Sequence, residues 1–449
     1  MSKIRQAVAP AYLFLCIVMG GSAQGIFSNL ALQLLGLAIL AWAFLTRRPN
    51  DVSRAGRRLG YLATAAVALV LVQLVPLPPA SWSAVPGRQF VVDGFRLLGQ
   101  PLPWMPLSLA PAATIATAMA MLPPLAMLAL ILRLEAYRDS WLLISLLSAT
   151  FISVGLGVLQ LQNGGNGPYL YPRANLGTAS GLFANVNHMA TLLLIAIPFL
   201  AAIGARRWRR LTNSKDRTLT LTLTGAAAVV VLLGIATNHS FALMIIGAPV
   251  IGAAALQLVP PGRVRLGRLA AMISILFLAG AAALASMGSS AMSASNQTSV
   301  TIRTEIWKHS GEALSDHWLA GSGIGTFPAL YPQYEDPATV GRTYVNHAHN
   351  DYLEILLEAG IPGGVLLILF LTWWSSRALS IWRSPNAAEL GRAACIASAA
   401  ILLHSLVDYP LRTAAIATSM AMALALMAEP AKRPRVQLVE LRPTRHLTL

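Results

Sequence analysis

Residues 182–204 read LFANVNHMATLLLIAIPFLAAIG, and this stretch decides the class of fold. A helix that crosses the hydrocarbon core of a bilayer needs about 20 mostly apolar residues. The stretch supplies such a run, and the basic sequence RRWRR at 206–210 follows it. Basic residues beside a span stay on the cytoplasmic side of a membrane. The stretch therefore predicts a transmembrane helix whose polar start, at 185–188, lies at the outer face.

Apolar runs of similar length recur along the whole chain of 449 residues. The chain is 56% hydrophobic and only 11% charged, whereas soluble domains carry about 25% charged residues. The runs fall near 7–24, 26–45, 60–78, 112–132, 140–161, 182–204, 219–237, 240–258, 268–288, 360–382, 391–406 and 411–428. We therefore expect an all-α, polytopic membrane helix bundle of about 12 transmembrane helices. Cys16 and Cys395 lie in apolar runs and provide neither a disulfide framework nor a thiolate metal cluster.

The net charge of +16 indicates topology rather than nucleic-acid binding. If the N-terminus is cytoplasmic and the helices alternate, all but seven of the 33 lysines and arginines fall in inner segments. That distribution follows the positive-inside rule and favours contact with anionic membrane lipids. No basic stripe is interleaved with aromatic residues, so no nucleic-acid partner is expected. Both termini are predicted to be cytoplasmic.

The predicted helices divide the chain into four parts. Residues 1–288 form an N-terminal transmembrane bundle of about nine helices, and 289–359 form a large outer loop. Residues 360–428 form C-terminal transmembrane helices, and 429–449 form a basic cytoplasmic tail. Long loops on a helical scaffold often carry function, so we expect the chemistry on the outer face.

The outer loop contains three patterns. Residues 301–318 predict an amphipathic helix, and GSGIGTF at 321–327 is typical of a tight turn. The third pattern is NHAHNDYLEILLEAGIPGG (346–364). Asp351 and Glu354 have the spacing of a capping box, which predicts the start of a helix. Gly360 with Pro362 predicts the end of the same helix. His347 and His349 precede this helix start, where partial positive charge suits an anionic ligand.

Each candidate also has a structural interpretation. The H-x-H pair could ligate a metal with Glu335, Asp336 or His309, or it could serve only as cap and hydrogen-bond partner. Other polar groups at predicted helix ends either contact a ligand or play a structural role: Asn185, Asn187 and His188 could cap a helix, and Asp408 could pair with Arg412. Tyr409 and Trp82 are expected at the membrane interface.

Seven motifs are spread over most of the chain: LVQLVPLPP (71–79), GLFANVNHMA (181–190), Arg303-x-x-x-Trp307, Gly321-x-Gly323-x-Gly325, His347-Ala348-His349-Asn350-x-Tyr352-Leu353, Glu358-x-Gly360 and HSLVDYPLR (404–412). Together these motifs resemble the O-antigen ligase and O-antigen polymerase superfamily. The resemblance implies a glycosyltransferase of the GT-C type in the bacterial inner membrane, with a periplasmic active site and no metal or other cofactor. It implies a glycan donor linked to undecaprenyl diphosphate. The acceptor would be lipid A–core or a growing polysaccharide.

The resemblance also assigns roles to individual residues. His349 and Arg303 fall on the positions of the family's essential loop histidine and arginine, so they are the predicted catalytic residues. A second family arginine would follow Ser240, where this chain has Phe241; Arg173 and His239 are the candidates to supply that charge. The full set of predicted residues for the diphosphate or glycan is His347, Asn350, Arg173, Asn187, His188, His239, Asp408 and Arg412.

Two other functions compete with transfer of polysaccharide. A helix bundle of this size would suit a transporter for a small anion or solute, but its helix interiors lack the mid-membrane polar cluster expected of a coupling site. A non-catalytic component of envelope assembly is the other alternative. It predicts that replacement of His349 or Arg303 leaves glycan assembly unchanged.

Overall fold

The computed structural model describes residues 3–23, 26–46, 52–171, 175–238, 240–258, 294–340, 344–384 and 388–429. These residues are mostly helical, and their only β contact is an isolated bridge between Leu77 and Met105. The α-helices are α1 (Lys3–Met19), α2 (Phe27–Leu45), α3 (Arg54–Val72), α4 (Pro79–Ser83), α5 (Gln89–Leu97), α6 (Pro111–Ala120), α7 (Leu122–Leu128), α8 (Asp139–Gln162), α9 (Val186–Arg210), α10 (Ser214–Asn238), α11 (Phe241–Ala255), α12 (Ala294–His317), α13 (Phe327–Leu330), α14 (Asp351–Arg383), α15 (Glu389–His404) and α16 (Ala414–Ala428). The all-α prediction is confirmed for this part of the chain.

Seven helical segments in the described residues are long and apolar enough to cross a membrane. They are Phe27–Leu45, Arg54–Val72, Pro111–Arg133, Asp139–Gln162, Val186–Arg210, Ser214–Asn238 and Asp351–Arg383. The predicted runs in α1, α11, α15 and α16 also form helices, but these have 17, 15, 16 and 15 residues. The run predicted at 268–288 lies outside the described residues. The described residues therefore do not confirm the count of about 12 spans.

Polar side chains fix where several helices begin. The Asn185 side chain accepts a hydrogen bond from the Asn187 amide at the start of α9, and Ser53 accepts one from Gly56 at the start of α3. Such caps satisfy amide groups that have no partner within the helix. The boundaries of α9 thus follow from its sequence: a polar cap, an apolar interior and a basic last turn.

The helix α9 forms the centre of the bundle. Its side chains are buried along most of its length, and it packs against α10, α11 and α15. The helices α1, α8, α7 and α16 extend the same apolar core. The stretch that predicted a membrane helix is therefore also the most deeply buried of the seven candidate spans.

The long helix α14 corrects one prediction from sequence. Gly360 has non-helical dihedral angles (φ 56°, ψ −147°), as expected for a break, but the helix resumes at once and continues to Arg383. Gly360 is required there because a Cβ would collide with the backbone of Leu319 and Gly321. The turn at 321–325 and the kink in α14 thus fit together backbone to backbone.

The two ends of the helix bundle are formed by different segments of the chain. At one end lie the starts of α9, α14 and α16 and the end of α15. At the other end lie the start of α3 and the ends of α14 and α16, where the Ser53 hydroxyl donates to the Ala428 carbonyl over 2.7 Å. We call the first the site end and the second the opposite end.

Candidate functional site at one end of the bundle

The Asp408 centre consists of Asp408, Arg303, His349 and Asn187. The Asp408 carboxylate is fully buried in the turn between α15 and α16. Its Oδ2 lies 3.6 Å from Arg303 Nη2 and accepts a hydrogen bond from Asn187, while its Oδ1 lies 3.4 Å from His349 Nδ1. Four segments distant in sequence therefore meet on one carboxylate.

The charge of Asp408 is set by its surroundings. Burial alone would raise the pKa of this carboxyl, but the contact with His349 and the nearby imidazoles of His188 and His404 outweigh burial and hold the pKa well below its usual range. The Tyr409 amide also donates to Oδ1 over 2.8 Å. Asp408 is thus an anion that attracts cationic groups to this point.

The backbone presents His349 in an unusual conformation. His349 has φ 50°, in the left-handed region that residues other than glycine rarely adopt. The preceding carbonyl, that of Ala348, accepts a hydrogen bond from Trp307 Nε1 over 2.9 Å, which ties this stretch to α12. Since α12 also carries Arg303, one helix positions both the arginine and the histidine.

The Arg412 cluster is a second charged group beside the first. Arg412 Nη2 lies 3.1 Å from Glu354 Oε1 and 3.3 Å from Glu358 Oε2, and its Nε lies 3.6 Å from Asp351 Oδ1. All three acids extend from the first turns of α14 and are buried. Burial lowers the pKa of the Arg412 guanidinium, but these three carboxylates outweigh burial and raise it above its ordinary value.

His347 and Tyr409 join the two groups. His347 Nδ1 lies 2.8 Å from Glu354 Oε1, the same oxygen that faces Arg412. The Tyr409 ring packs against His347, His349 and His188, with ring centroids 4.2, 4.9 and 5.1 Å apart. Burial raises the pKa of Tyr409 to about 12. Tyr409 is therefore a neutral aromatic wall between imidazoles.

The glycine-rich turn at 321–327 supports Glu358 rather than forming an open loop. The Phe327 amide donates to Glu358 Oε1 over 3.1 Å, and the Gly323 amide donates to the Glu358 carbonyl over 2.9 Å. A Cβ at Gly321 would collide with that same carbonyl. The interpretation of GSGIGTF as a tight turn is confirmed.

Two further histidines lie on the inner side of Asp408. His404 Nδ1 is 2.8 Å from the Thr191 hydroxyl, and its Nε2 has no hydrogen-bond partner among the described residues. His188 is buried, and neither of its ring nitrogens has a partner within the same part of the chain. Both His188 and His404 thus place a buried imidazole near the Asp408 carboxylate.

Three of the predicted site residues do not lie among the groups around Asp408 and Arg412: one caps a helix, and two are not described by the structure. Asn350 caps α14, because its Oδ1 accepts from the amides of Tyr352 and Leu353, so Asp351 and Glu354 do not form the predicted capping box. Arg173 and His239 lie outside the described residues, as does the side chain of Phe241. Ser240, which lies between His239 and Phe241 in the sequence, donates to Asn187 Oδ1 over 2.8 Å.

Two further predictions from sequence, the pairing of Asp408 with Arg412 and the interfacial position of Tyr409 and Trp82, are corrected. Asp408 pairs with Arg303 and His349 rather than with Arg412. Tyr409 and Trp82, expected at the membrane interface, are buried at 7% and 1% exposure. The two imidazoles of the H-x-H motif have their Nδ1 atoms at different carboxylates, His347 at Glu354 and His349 at Asp408.

Sequence reasoning did not assign a role in the site to Glu354, Glu358 or Tyr409. One signal was present for the acids. Glu354 and Glu358 are four residues apart, and Asp351 precedes Glu354 by three, so all three share one helix face. If such a face is buried, its acids need a cation nearby, but the spacing alone does not show which basic residue supplies it.

These features define a helical membrane protein that gathers ionised side chains at one end of its bundle. Residues 174–368 match the family model described as O-antigen ligase. The resemblance to the O-antigen ligase and polymerase superfamily is thereby confirmed over residues 174–368, and this match together with the long apolar helices indicates a bacterial membrane protein. The matched region includes Arg303 and His349, whereas Asp408 and Arg412 follow it. None of the curated proteins compared with the chain matches it.

Proposed function

We propose that the protein is a GT-C-type glycosyltransferase that moves a glycan from undecaprenyl diphosphate to a sugar hydroxyl on the periplasmic face of the inner membrane. One observation carries the proposal: Arg303 and His349, on separate segments, meet at Asp408. A permanent cation and a titratable base at one point are the two groups that such a transfer needs.

Arg303 is suited to the leaving group. As the glycosidic bond breaks, negative charge develops on the diphosphate, and a guanidinium can bind phosphate oxygens with two parallel hydrogen bonds. The Arg303 side chain is 19% exposed, so a ligand can contact it while it remains paired with Asp408. Loss of one such contact typically lowers the rate by about 10²–10³-fold.

His349 is suited to the acceptor. With Nδ1 facing Asp408, the other ring nitrogen, Nε2, is left to accept the proton of the attacking sugar hydroxyl. The Asp408 carboxylate then stabilises the imidazolium that forms. The acceptor oxygen bonds to the anomeric carbon as the bond to the diphosphate breaks, and undecaprenyl diphosphate leaves. A single displacement of this kind inverts the anomeric configuration and requires no metal.

The other groups define the surroundings of the reaction. Asn187 donates to Asp408 and orients it, and His188 and Tyr409 form the wall beside it. The acceptor is either lipid A–core, as for a ligase, or the end of a growing lipid-linked polysaccharide, as for a polymerase. In this scheme the Arg412 cluster is framework, because its guanidinium is already surrounded by three acids.

Alanine substitutions test this proposal. Arg303→Ala and His349→Ala should each lower transfer by about 10²-fold or more while membrane insertion stays normal. Lys308→Ala, a change of an exposed residue on the same helix, is the matched control and should keep wild-type activity. The measurement is the initial rate of transfer by purified protein with a lipid-linked donor. Wild-type rates in either site variant would disprove the assignment.

The identity of the acceptor is tested in a strain that lacks the protein. Long glycan chains that accumulate on the lipid carrier would identify a ligase, because the polymer forms and is not transferred. Single repeat units on the carrier would identify a polymerase. Unchanged lipopolysaccharide and exopolysaccharide profiles would contradict both.

A further inference from the structure

A cavity of about 330 Å³ lies at the opposite end of the bundle, between α3 and α14. It is lined by Arg54, Ala55, Arg58, Trp373, Ser376 and Arg377. Three of these six residues are arginines, and none is acidic. The cavity shares no residue with the Asp408 centre or the Arg412 cluster, so the proposed transfer reaction does not account for it.

The arginines of this cavity differ in how they are held. Arg377 Nε and Nη2 both donate to the Met427 carbonyl, over 3.1 and 2.8 Å, which fixes its position. Arg54 and Arg58 lie one turn apart on α3, are exposed, and form no ion pair with any described residue. Trp373 Nε1 donates to the Ala55 carbonyl over 3.1 Å, and this hydrogen bond joins α14 to α3 beside the cavity. The cavity thus has a rigid base and two guanidinium groups at its rim.

The position along α14 places the cavity at a membrane surface. Trp373 and Arg377 follow Asp351 by a helix length of about 35 Å, at 1.5 Å per residue. The hydrocarbon core of a bilayer is about 30 Å thick. Since Asp351 marks the site end, the cavity lies near the other interface, where the charge distribution of the chain predicts the cytoplasm.

Apolar side chains continue from the cavity toward the middle of the membrane. On α3, Tyr61 lies two turns after Arg54 on the same face and is 72% exposed. On α14, Leu369 lies two turns before Ser376 and is 54% exposed. A cationic cavity that continues into exposed apolar surface has the polarity of an amphiphile, with its charged group at the interface and its chains along the helices.

We propose that this cavity binds the phosphate headgroup of an anionic glycerophospholipid, whose acyl chains lie along the exposed faces of α3 and α14. Arg54 and Arg58 contact the phosphate from the rim, and the Ser376 hydroxyl lies beside it. Basic pockets between transmembrane helices on the cytoplasmic side are a recognised mode of binding anionic lipid headgroups. Guanidinium groups also bind phosphate oxygens through paired hydrogen bonds.

The test compares lipids that differ only in their headgroup. Purified full-length protein is titrated with phosphatidylglycerol and with phosphatidylcholine of the same acyl chains, and bound lipid is counted by native mass spectrometry. Wild-type protein should bind phosphatidylglycerol about 30-fold more tightly, the difference expected from two arginines at an anionic headgroup. Equal affinity for the two lipids would overturn the proposal.

Matched variants locate the binding. The double variant R54Q/R58Q should lose the preference for phosphatidylglycerol, and the single variant R58Q should lose part of it. R57Q is the control, because Arg57 is exposed on the same helix but does not line the cavity, and it should keep the preference. A preference retained in R54Q/R58Q, or lost equally in R57Q, would overturn the assignment.

A competition experiment separates a lipid from a soluble phosphate. Glycerol phosphate and inorganic phosphate share the charged group but lack acyl chains. If the exposed apolar faces take part, neither should displace phosphatidylglycerol at millimolar concentration. Displacement by either would show a site for soluble phosphates and overturn the lipid proposal. None of these outcomes depends on glycosyl transfer, so the proposal can fail while the proposed function stands.

Discussion

The Asp408 centre and the Arg412 cluster lie side by side, yet they differ in their balance of charge. At Asp408, one carboxylate faces an arginine and a histidine whose side chains are 19% and 22% exposed. At Arg412, one guanidinium faces three carboxylates, of which Glu354 and Glu358 are 1% exposed. A guanidinium and an imidazole that are both accessible to solvent suit an anionic ligand, whereas an excess of acids over cations in a buried position suits a framework. In the proposed function, similar residue types thus serve binding in one place and folding in the other.

The largest effect is expected from removing the cation of the Arg412 cluster. Arg412→Met keeps much of the volume but leaves three buried carboxylates without their cation. We expect the free energy of unfolding to fall by about 3–5 kcal/mol. The measurement is chemical denaturation of the purified protein in detergent. Arg383→Met, at the exposed end of α14, is the control and should change it by less than about 0.5 kcal/mol. Equal stability of the two variants would remove the contrast between the regions.

The next effect tests the planar geometry of Arg303. Arg303→Lys keeps the charge but loses the two parallel hydrogen bonds that a guanidinium offers to phosphate. Transfer should therefore fall about 10²-fold, while the free energy of unfolding changes by less than about 1 kcal/mol. Initial rates and denaturation curves on the same preparation measure both. A variant that retains half the rate would show that Arg303 acts only as a point charge.

A smaller effect concerns the charge of Asp408. Asp408→Asn should lower the free energy of unfolding by about 1–3 kcal/mol at neutral pH. Because the pKa of Asp408 in the folded protein is lower than its ordinary value of 3.8, its stabilising contribution is complete above that value and is lost as the pH falls below it. Denaturation of both proteins between neutral pH and about pH 3 measures the difference. A difference that stays constant over this range would show that Asp408 is not the stabilising anion.

The smallest effect, none at all, is expected from metal removal. Excess EDTA should leave the rate of transfer unchanged, because His347 and His349 face different carboxylates rather than one point between them. The measurement is the initial rate before and after dialysis against chelator. Inhibition that zinc reverses would instead identify the H-x-H motif as a metal ligand and change the interpretation of both regions.

The sequence was sufficient for the helices because burial in a membrane requires long apolar runs. Eleven of the twelve predicted runs correspond to helices in the described residues. It was not sufficient to confirm the number of spans, since α1, α11, α15 and α16 have 17, 15, 16 and 15 residues, fewer than the roughly 20 that a span typically needs. Whether such a helix spans depends on its neighbours, which the sequence does not specify.

The candidate site was predicted in part for a similar reason. Sequence patterns placed Arg303 and His349 on one side of the membrane, but not the carboxylate on which they meet. Asp408 and Arg412 have the spacing of a helical ion pair, yet Pro410–Arg412 form a 3₁₀ turn, and the two side chains face different partners. Short-range spacing predicts a pair only where the helix is continuous.

The kink at Gly360 has a consequence for the protein's tolerance of different membranes. Residues 351–359 carry the three acids and are held by Arg412, whereas 361–383 form the mostly exposed or half-buried remainder of α14. A helix that meets a thinner or thicker bilayer adjusts by tilting, and a break lets one half tilt without turning the other. We therefore expect the spacing between the acids and Arg412 to be insensitive to bilayer thickness.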